Sequence, residues 1–393
     1  MPSTALDHIT IRGFKSIASV ENLALRPINI IIGPNGSGKS NFIGAFSFLH
    51  AIREGRLQDY VTAAGGAERL LHFGSKTTKE ISLRLSFAGQ VNEYELKLAP
   101  SDDDSLFPSE ENVSFWNGSN SQPCSTPLSP RERRLEAGIS NPTLDSKSIE
   151  GCVRDRLGSW RLYHVHDTSS SSPMRKTAKV DDNEFLRSDG SNLAAFLYYL
   201  QEKHPDSYSL IRRTIQRVAP FFDDFRLRPL RLKSDDIKLE WRHKNSDQYF
   251  DASSLSDGTL RFVVLATLFL QPKEHLPSAI LVDEPELGLH PYALEMLASL
   301  IRQAAVDTQV IVSSQSSLLL DHFQPEDVLV ANRIDGGTKI ERLDSAQLAA
   351  WLEEYSLGQR WEKNGIGGDP PGTEAYGTPV NPFGRSNGGR LRQ

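Results

Sequence analysis

Gly33-Pro34-Asn35-Gly36-Ser37-Gly38-Lys39-Ser40 is a full match to G-x-x-x-x-G-K-[ST], a loop pattern that binds phosphate. Ile28, Ile30, Ile31 and Ile32 before it read as a buried strand, interrupted only by Asn29. Asn41 to Leu49 after it reads as a helix. The order strand, loop, helix is what the chemistry needs. Glycines let backbone N–H groups turn inward and approach a triphosphate without Cβ clashes. The helix that starts there directs its positive dipole end at the anion. Gly33, Pro34, Asn35, Gly36, Ser37 and Gly38 are therefore candidate nucleotide contacts. Lys39 is placed for the β- and γ-phosphates of ATP, and the Ser40 hydroxyl for Mg²⁺. A glycine-rich turn with an incidental lysine would not come framed by a strand and a helix.

The rest of the composition limits the setting. At 393 residues the chain is long enough for two or three lobes. A net charge of −6 excludes a globally basic nucleic-acid binder but leaves room for a local basic patch. The two cysteines, Cys124 and Cys152, have neither framework nor metal spacing, which suits a reducing compartment. Residues Met1 to Asp7 lack a signal pattern, and the longest apolar run, near Phe262 to Leu270, is too short to span a bilayer. The expectation is a cytoplasmic protein with no membrane partner.

Periodicity divides the chain. Ile9 and Ile11 mark a first strand, and Val20 to Leu25 a second. A helix runs from Lys39 to about Glu54, and Ala63 to Gly74 reads as a glycine-rich loop near the nucleotide. Ile81 to Phe87 and Tyr94 to Leu98 alternate as an antiparallel hairpin. Ser101 to Ser148 reads as a long polar loop or elaborated insertion. Trp160 to Val165 resumes as a strand, followed by a polar loop from Asp167 to Thr177. Asn192 to Gln201 and Pro205 to Phe222 are helical, and Phe225 to Leu232, Ile237 to Trp241 and Gln248 to Phe250 are strands. From Ser256 helices alternate with apolar strands: a helix to Leu270, strand Ala279 to Asp283, helix Pro291 to Ala304, strand Gln309 to Val312. This is a parallel sheet with crossover helices. The tail from Asn364 is rich in Gly and Pro. These shifts divide the chain at 1–100, 101–180, 181–250, 251–360 and 361–393.

Ala279-Ile280-Leu281-Val282-Asp283-Glu284 is an apolar strand ending in two acids. Ligands gather at the C-terminal edge of a parallel sheet. Asp283 is placed to hold Mg²⁺, and Glu284 to polarise the water that attacks the γ-phosphate. Glu286 marks the same turn as acidic, so a solvated acidic turn is the plainer alternative. Upstream, Leu255-Ser256-Asp257-Gly258-Thr259 precedes a helix, where Ser256 and backbone N–H groups form another anion nest or a simple N-cap.

With these residues together the chain resembles the ABC-type ATPases of the SMC/RecF/OLD branch, within the P-loop NTPases. It is most similar to short bacterial AAA-family ATPases of that branch. Ile11-Arg12-Gly13-Phe14-Lys15-Ser16-Ile17, the phosphate loop, the Leu255–Thr259 pentapeptide and Asp283 to Pro291 carry the resemblance, along with Ser191 to Leu197 and Trp351 to Gly358. It implies an α/β ATPase head with a mixed sheet, an antiparallel β lobe and a helical lobe insertion. It further implies a head-to-tail ATP sandwich. Lys39 and Asp283 of one subunit would face the signature Ser256, Asp257 and Gly258 of another, giving an ATP-dependent homodimer. Lys15 would touch the nucleotide, and Asn35 and Asn41 would flank its phosphates. Where a histidine often senses the γ-phosphate, this chain offers Gln315. Neither Gln58 nor Gln90 fits the usual glutamine loop.

The function expected is ATP hydrolysis driving a dimerisation switch in DNA repair, genome maintenance or phage defence, with DNA or a separate nuclease or effector as partner. Arg131, Arg133, Arg134, Arg226, Arg228, Arg231 and Lys233 are candidate DNA contacts, though solvated strand faces and loops explain each cluster better. A built-in nuclease domain, a small-molecule kinase and a transporter ATPase subunit are the alternatives.

Overall fold

The computed structural model describes residues 5–87, 89, 91–116, 124–128, 135–343 and 356–362. Arg131, Arg133, Arg134, Gln90, residues 351–355 and the tail lie outside them.

Strands β1 (Leu6–Phe14) and β2 (Ile17–Ala24) form a hairpin, and β3 (Ile28–Ile32) leads into helix α1 (Lys39–Arg53). Two short helices follow, α2 (Leu57–Ala64) and α3 (Ala67–Leu70), so part of the stretch expected as a loop is helical. Gly65 and Gly66, both at positive φ, separate them. Strands β4 (Ile81–Phe87) and β5 (Asn92–Pro100) pair antiparallel, as their alternation predicts.

The insertion departs from expectation. Leu106–Phe115 is strand β6, paired along β5, with β7 (Cys124–Pro127) beyond it. Its run of Ser109, Glu110, Glu111 and Asn112 reads as loop because most of those side chains face solvent. Glu111 is the exception: buried, it accepts hydrogen bonds from the Tyr94 hydroxyl at 3.0 Å and the Ile139 N–H at 2.9 Å. Helix α4 (Ile149–Gly158) closes the insertion, capped by the Ser148 hydroxyl, which accepts from Gly151 N–H.

Then come β8 (Trp160–Tyr163), β9 (Ala178–Lys179), and helices α5 (Leu193–Lys203) and α6 (Pro205–Val218). Five short strands, β10 (Phe222–Arg226), β11 (Pro229–Leu230), β12 (Lys233–Ile237), β13 (Glu240–His243) and β14 (Tyr249–Asp251), precede α7 (Asp257–Leu270). The order then runs β15 (Ala279–Asp283), α8 (Pro291–Ala304), β16 (Gln309–Ser314), α9 (Ser317–Leu320), β17 (Val328–Ile334), β18 (Gly337–Arg342). Pro291 begins α8 where its missing N–H is not needed.

Two six-stranded sheets organise these elements. One is antiparallel, in the order β2-β1-β4-β5-β6-β7; the other is β18-β17-β3-β16-β15-β8. In the second, β17, β3, β16, β15 and β8 run parallel, and β18 is an antiparallel edge. Buried on both faces, its strands are continuous apolar runs. Ile30, Ile32, Ile280, Val282, Val310 and Val312 pack into one core with α5 to α8. Ile31, Leu281 and Ile311 face the other way, into a second core with α1 and the antiparallel sheet. Asn29, the break in the isoleucine run, is fully buried and satisfied. Its amide donates to Arg26 O at 2.6 Å, and its carbonyl oxygen accepts from Arg342 at 2.6 Å. Among the described residues no helix is long and apolar enough to cross a membrane.

Candidate functional site

The phosphate loop lies between β3 and α1 and is closed by residues remote in sequence. Gly38 has φ +102°, and a Cβ there would meet Thr338 Oγ1 at 2.0 Å, so only glycine fits. Asn41 Nδ2 donates to Ser16 Oγ at 2.7 Å, Ser16 Oγ lies 2.7 Å from Thr338 Oγ1, and Thr338 Oγ1 donates to Ser37 O at 2.8 Å. This relay joins the β1–β2 turn, the loop and β18. Ser37 Oγ is buried and has no partner.

Lys39 is buried, its ammonium donating to Gly33 O at 2.7 Å and Pro34 O at 3.2 Å. Burial lowers its pKa; Glu284, Asp283 and Glu286 pull the other way. A hollow of about 250 Å³ over the loop gathers Lys39, Ser40, Asn41, Glu284, Gln315 and Arg333. Arg333, absent from the sequence expectation, reaches Gly36 O at 3.4 Å and adds a second positive charge. A cradle of backbone N–H groups with lysine and arginine fits a polyphosphate. The hydroxyl of Ser40 and the carboxylate of Asp283 are hard oxygen donors of the kind Mg²⁺ takes.

Parallel pairing brings the two acids to the same sheet edge. Asp283 is paired with Ser313, whose hydroxyl donates to its Oδ1. Glu284 sits at φ +43°, a left-handed conformation that is uncommon for a side chain of its size. Its carboxylate accepts from Gln315 Nε2. Glu286 turns inward instead. It accepts from Ser314 Oγ at 2.7 Å and Gln315 N–H at 2.8 Å, while its Oε2 is buried without a partner. Burial raises its pKa against those hydrogen bonds. Glu286 therefore holds the segment that presents Gln315; in sequence it looked like one more acid in an acidic turn.

Lys15 is placed differently from Lys39. It lies in a neighbouring hollow of about 580 Å³ with His72 and Phe73. Its ammonium stands 5.4 Å from the Phe14 ring centroid and 5.9 Å from that of Tyr60, and burial lowers its pKa. Gln58 ties α2 to the insertion, donating to Leu106 O at 2.7 Å and Leu135 O at 2.6 Å.

Ser256 caps α7: its Oγ accepts from Thr259 N–H at 3.2 Å. Ser256, Asp257 and Gly258 are not among the residues lining the Lys39 hollow. The loop before α7 is held by Arg175, whose side chain is 6% exposed. Arg175 donates to Leu255 O at 3.2 Å and to Asp257 Oδ1 at 2.8 Å. One turn into α7, buried Arg261 donates to Val165 O at 2.8 Å, His166 O at 3.1 Å and Leu287 O. Thus α7, the segment after β8 and the loop after Glu284 are joined through one guanidinium. Neither arginine carries a local sequence signal, since each acts on carbonyls of distant loops.

Comparison with known proteins agrees with the fold. Residues 28–321 match the family described as "AAA domain, putative AbiEii toxin, Type IV TA system". The DNA replication and repair protein RecF of Magnetococcus marinus is 32% identical over 94 residues, 24% of this chain and 25% of that protein. The chromosome partition protein Smc of Mycolicibacterium paratuberculosis is 38% identical over 65 residues, 15% of this chain and 5% of that protein. The chain thus matches only a minor part of these relatives. In fold it resembles a crystal structure of the SmcHead bound to the C-winged helix domain of ScpA, with TM-score 0.56 and 16% identity, covering 88% of this chain and 99% of that one. The chain belongs to this AAA-domain family and has the P-loop ATPase fold of SMC heads.

Proposed function

We propose that this protein binds and hydrolyses ATP and that ATP holds two copies of it together. The observation that carries this reading is the division of the site. Lys39, Ser40, Glu284 and Gln315 converge on one hollow, whereas Ser256, with an exposed hydroxyl at a helix N-terminus, stands apart from it. A second copy supplies the anion that such a terminus favours.

Lys39 and Arg333 bind the phosphates, and the loop N–H groups orient them. Ser40 and Asp283 would hold Mg²⁺, which when bound would supply neutralising charge at the phosphates. Glu284 takes the proton of the attacking water. Gln315, bonded to Glu284 and tied through its backbone to Glu286, positions that carboxylate. Gln315 carries no positive charge, so it positions groups and adds no charge of its own at the γ-phosphate.

The biological setting rests on names. The family description includes a toxin of a type IV toxin–antitoxin system, and the relatives are a replication and repair protein and a chromosome partition protein. These support phage defence or genome maintenance, with DNA or a separate effector chain reading the dimeric state. The test is solution mass. Glu284→Gln in Mg-ATP should double in mass by light scattering, and Glu284→Gln with Ser256→Arg should bind ATP yet stay single. Equal behaviour of the two variants would remove the reading.

A further inference from the structure

The chain leaving β8 reads His164-Val165-His166, and burial alternates along it: both histidines are exposed and Val165 is buried. Beside β8 in the sheet is β15, which ends in Asp283. The ring nitrogens of His164 and His166 and a carboxylate oxygen of Asp283 lie within 4.8 Å of one another. His166 Nε2 is 3.8 Å from Asp283 Oδ2.

We propose that His164, His166 and Asp283 form a binding site for a first-row transition-metal dication, at the border of the nucleotide hollow. Ligands bound at about 2.1 Å in tetrahedral array sit roughly 3.4 Å apart, so rotation of the two exposed imidazoles closes the set. The frame beneath them is already fixed. Arg261 holds Val165 O and His166 O, and His164 N–H donates to Ser188 O at 3.1 Å. The Ser313 hydroxyl occupies Asp283 Oδ1, leaving Oδ2 toward the histidines. Such outer partners orient metal ligands. Two imidazoles and one carboxylate suit Mn²⁺, Co²⁺ or Zn²⁺, whereas Mg²⁺ prefers oxygen donors alone. In its consequence the inference rests on the ATPase reading above. Because Asp283 is shared, occupancy sets which dication serves the nucleotide.

The experiment is Co²⁺ titration of the whole, metal-stripped chain without nucleotide, followed by visible d–d absorption. One equivalent should bind, and the double variant His164→Ala, His166→Ala should bind at least about tenfold more weakly. No saturable uptake by the wild type, or the same uptake by the double variant, overturns the site. Thermal melting confirms that the double variant is folded; if it is not, His164→Gln and His166→Gln singly must each weaken Co²⁺ binding. The Mg-ATP thermal shift is measured on the same preparations. Loss of that shift with Co²⁺ uptake intact rejects the ATPase reading and leaves this site standing. The reverse pattern rejects this site alone.

Discussion

Gly258, in the first turn of α7, lies against Gly288: a Cβ on Gly258 would come within 2.3 Å of the Gly288 carbonyl oxygen. The pentapeptide that begins at Leu255 and the loop that follows Glu284 are therefore in direct contact within one chain. Gly258→Ala should force the two apart. We expect a loss of about 1–3 kcal/mol in stability, as for other overpacked contacts. ATP binding should survive, because the Lys39 hollow is untouched. ATP-dependent doubling of mass should fall. Unchanged melting and unchanged mass in the variant would show that the contact yields freely.

Lys39→Ala removes the buried cation of the loop. A ligand at 100 times its Kd stabilises a protein by about 2.7 kcal/mol. The variant should melt cooperatively without nucleotide and lose most of the shift given by Mg-ATP. A full shift in the variant would place the nucleotide elsewhere.

Arg261→Met strands three carbonyl oxygens in a buried place. The expected loss is on the order of 3 kcal/mol, read as a lower urea midpoint. Arg261→Lys can serve only part of the set and should fall between. Because Val165, His166 and Leu287 are freed together, turnover should drop in both variants even where they remain folded. Wild-type turnover in a folded Arg261→Met would show that the guanidinium only fills space.

Glu286 adds a pH dependence whose sign follows from its raised pKa. Above its ordinary value of 4.5 the unfolded chain releases this proton before the folded chain does. The contribution of Glu286 to stability is thus fully present below 4.5 and declines as pH rises toward the folded value. Glu286→Gln abolishes that decline. The melting difference, variant minus wild type, should grow as pH rises from about 4 to about 7. A difference that stays flat would mean that the carboxyl is ionised at no penalty.

The elements around the site were legible where one physical signal acted alone. The strand Ala279–Asp283 and the helix Pro291–Ala304 begin and end where apolar pattern, acids and proline put them. Strand β6 was not legible, because its outer face is polar and the one acid it buries, Glu111, is satisfied by loops that come later. The loop residues Lys39 and Ser40 could be named from spacing, and the structure sets them beside Glu284 and Gln315. Ser16, Thr338, Arg175 and Arg261 could not, since their value lies in hydrogen bonds across the fold. The His-x-His pair has a signal, two histidines two apart at the end of an apolar strand, but the strand reading over Trp160 to Val165 takes in His164 and gives neither histidine a role.

The relay from Asn41 through Ser16 and Thr338 to Ser37 also sets an order in time. On the ribosome Thr338 emerges 301 residues after Ser37. Until then the glycine loop has its lysine but not its clasp, and α1 has no finished anion cradle at its start. Ser16 and Thr338 both lie outside the 28–321 segment that matches the family. A fragment cut to that segment would keep every motif residue of the loop and lose both the clasp that holds it shut and the second cation, Arg333, so it should bind nucleotide weakly.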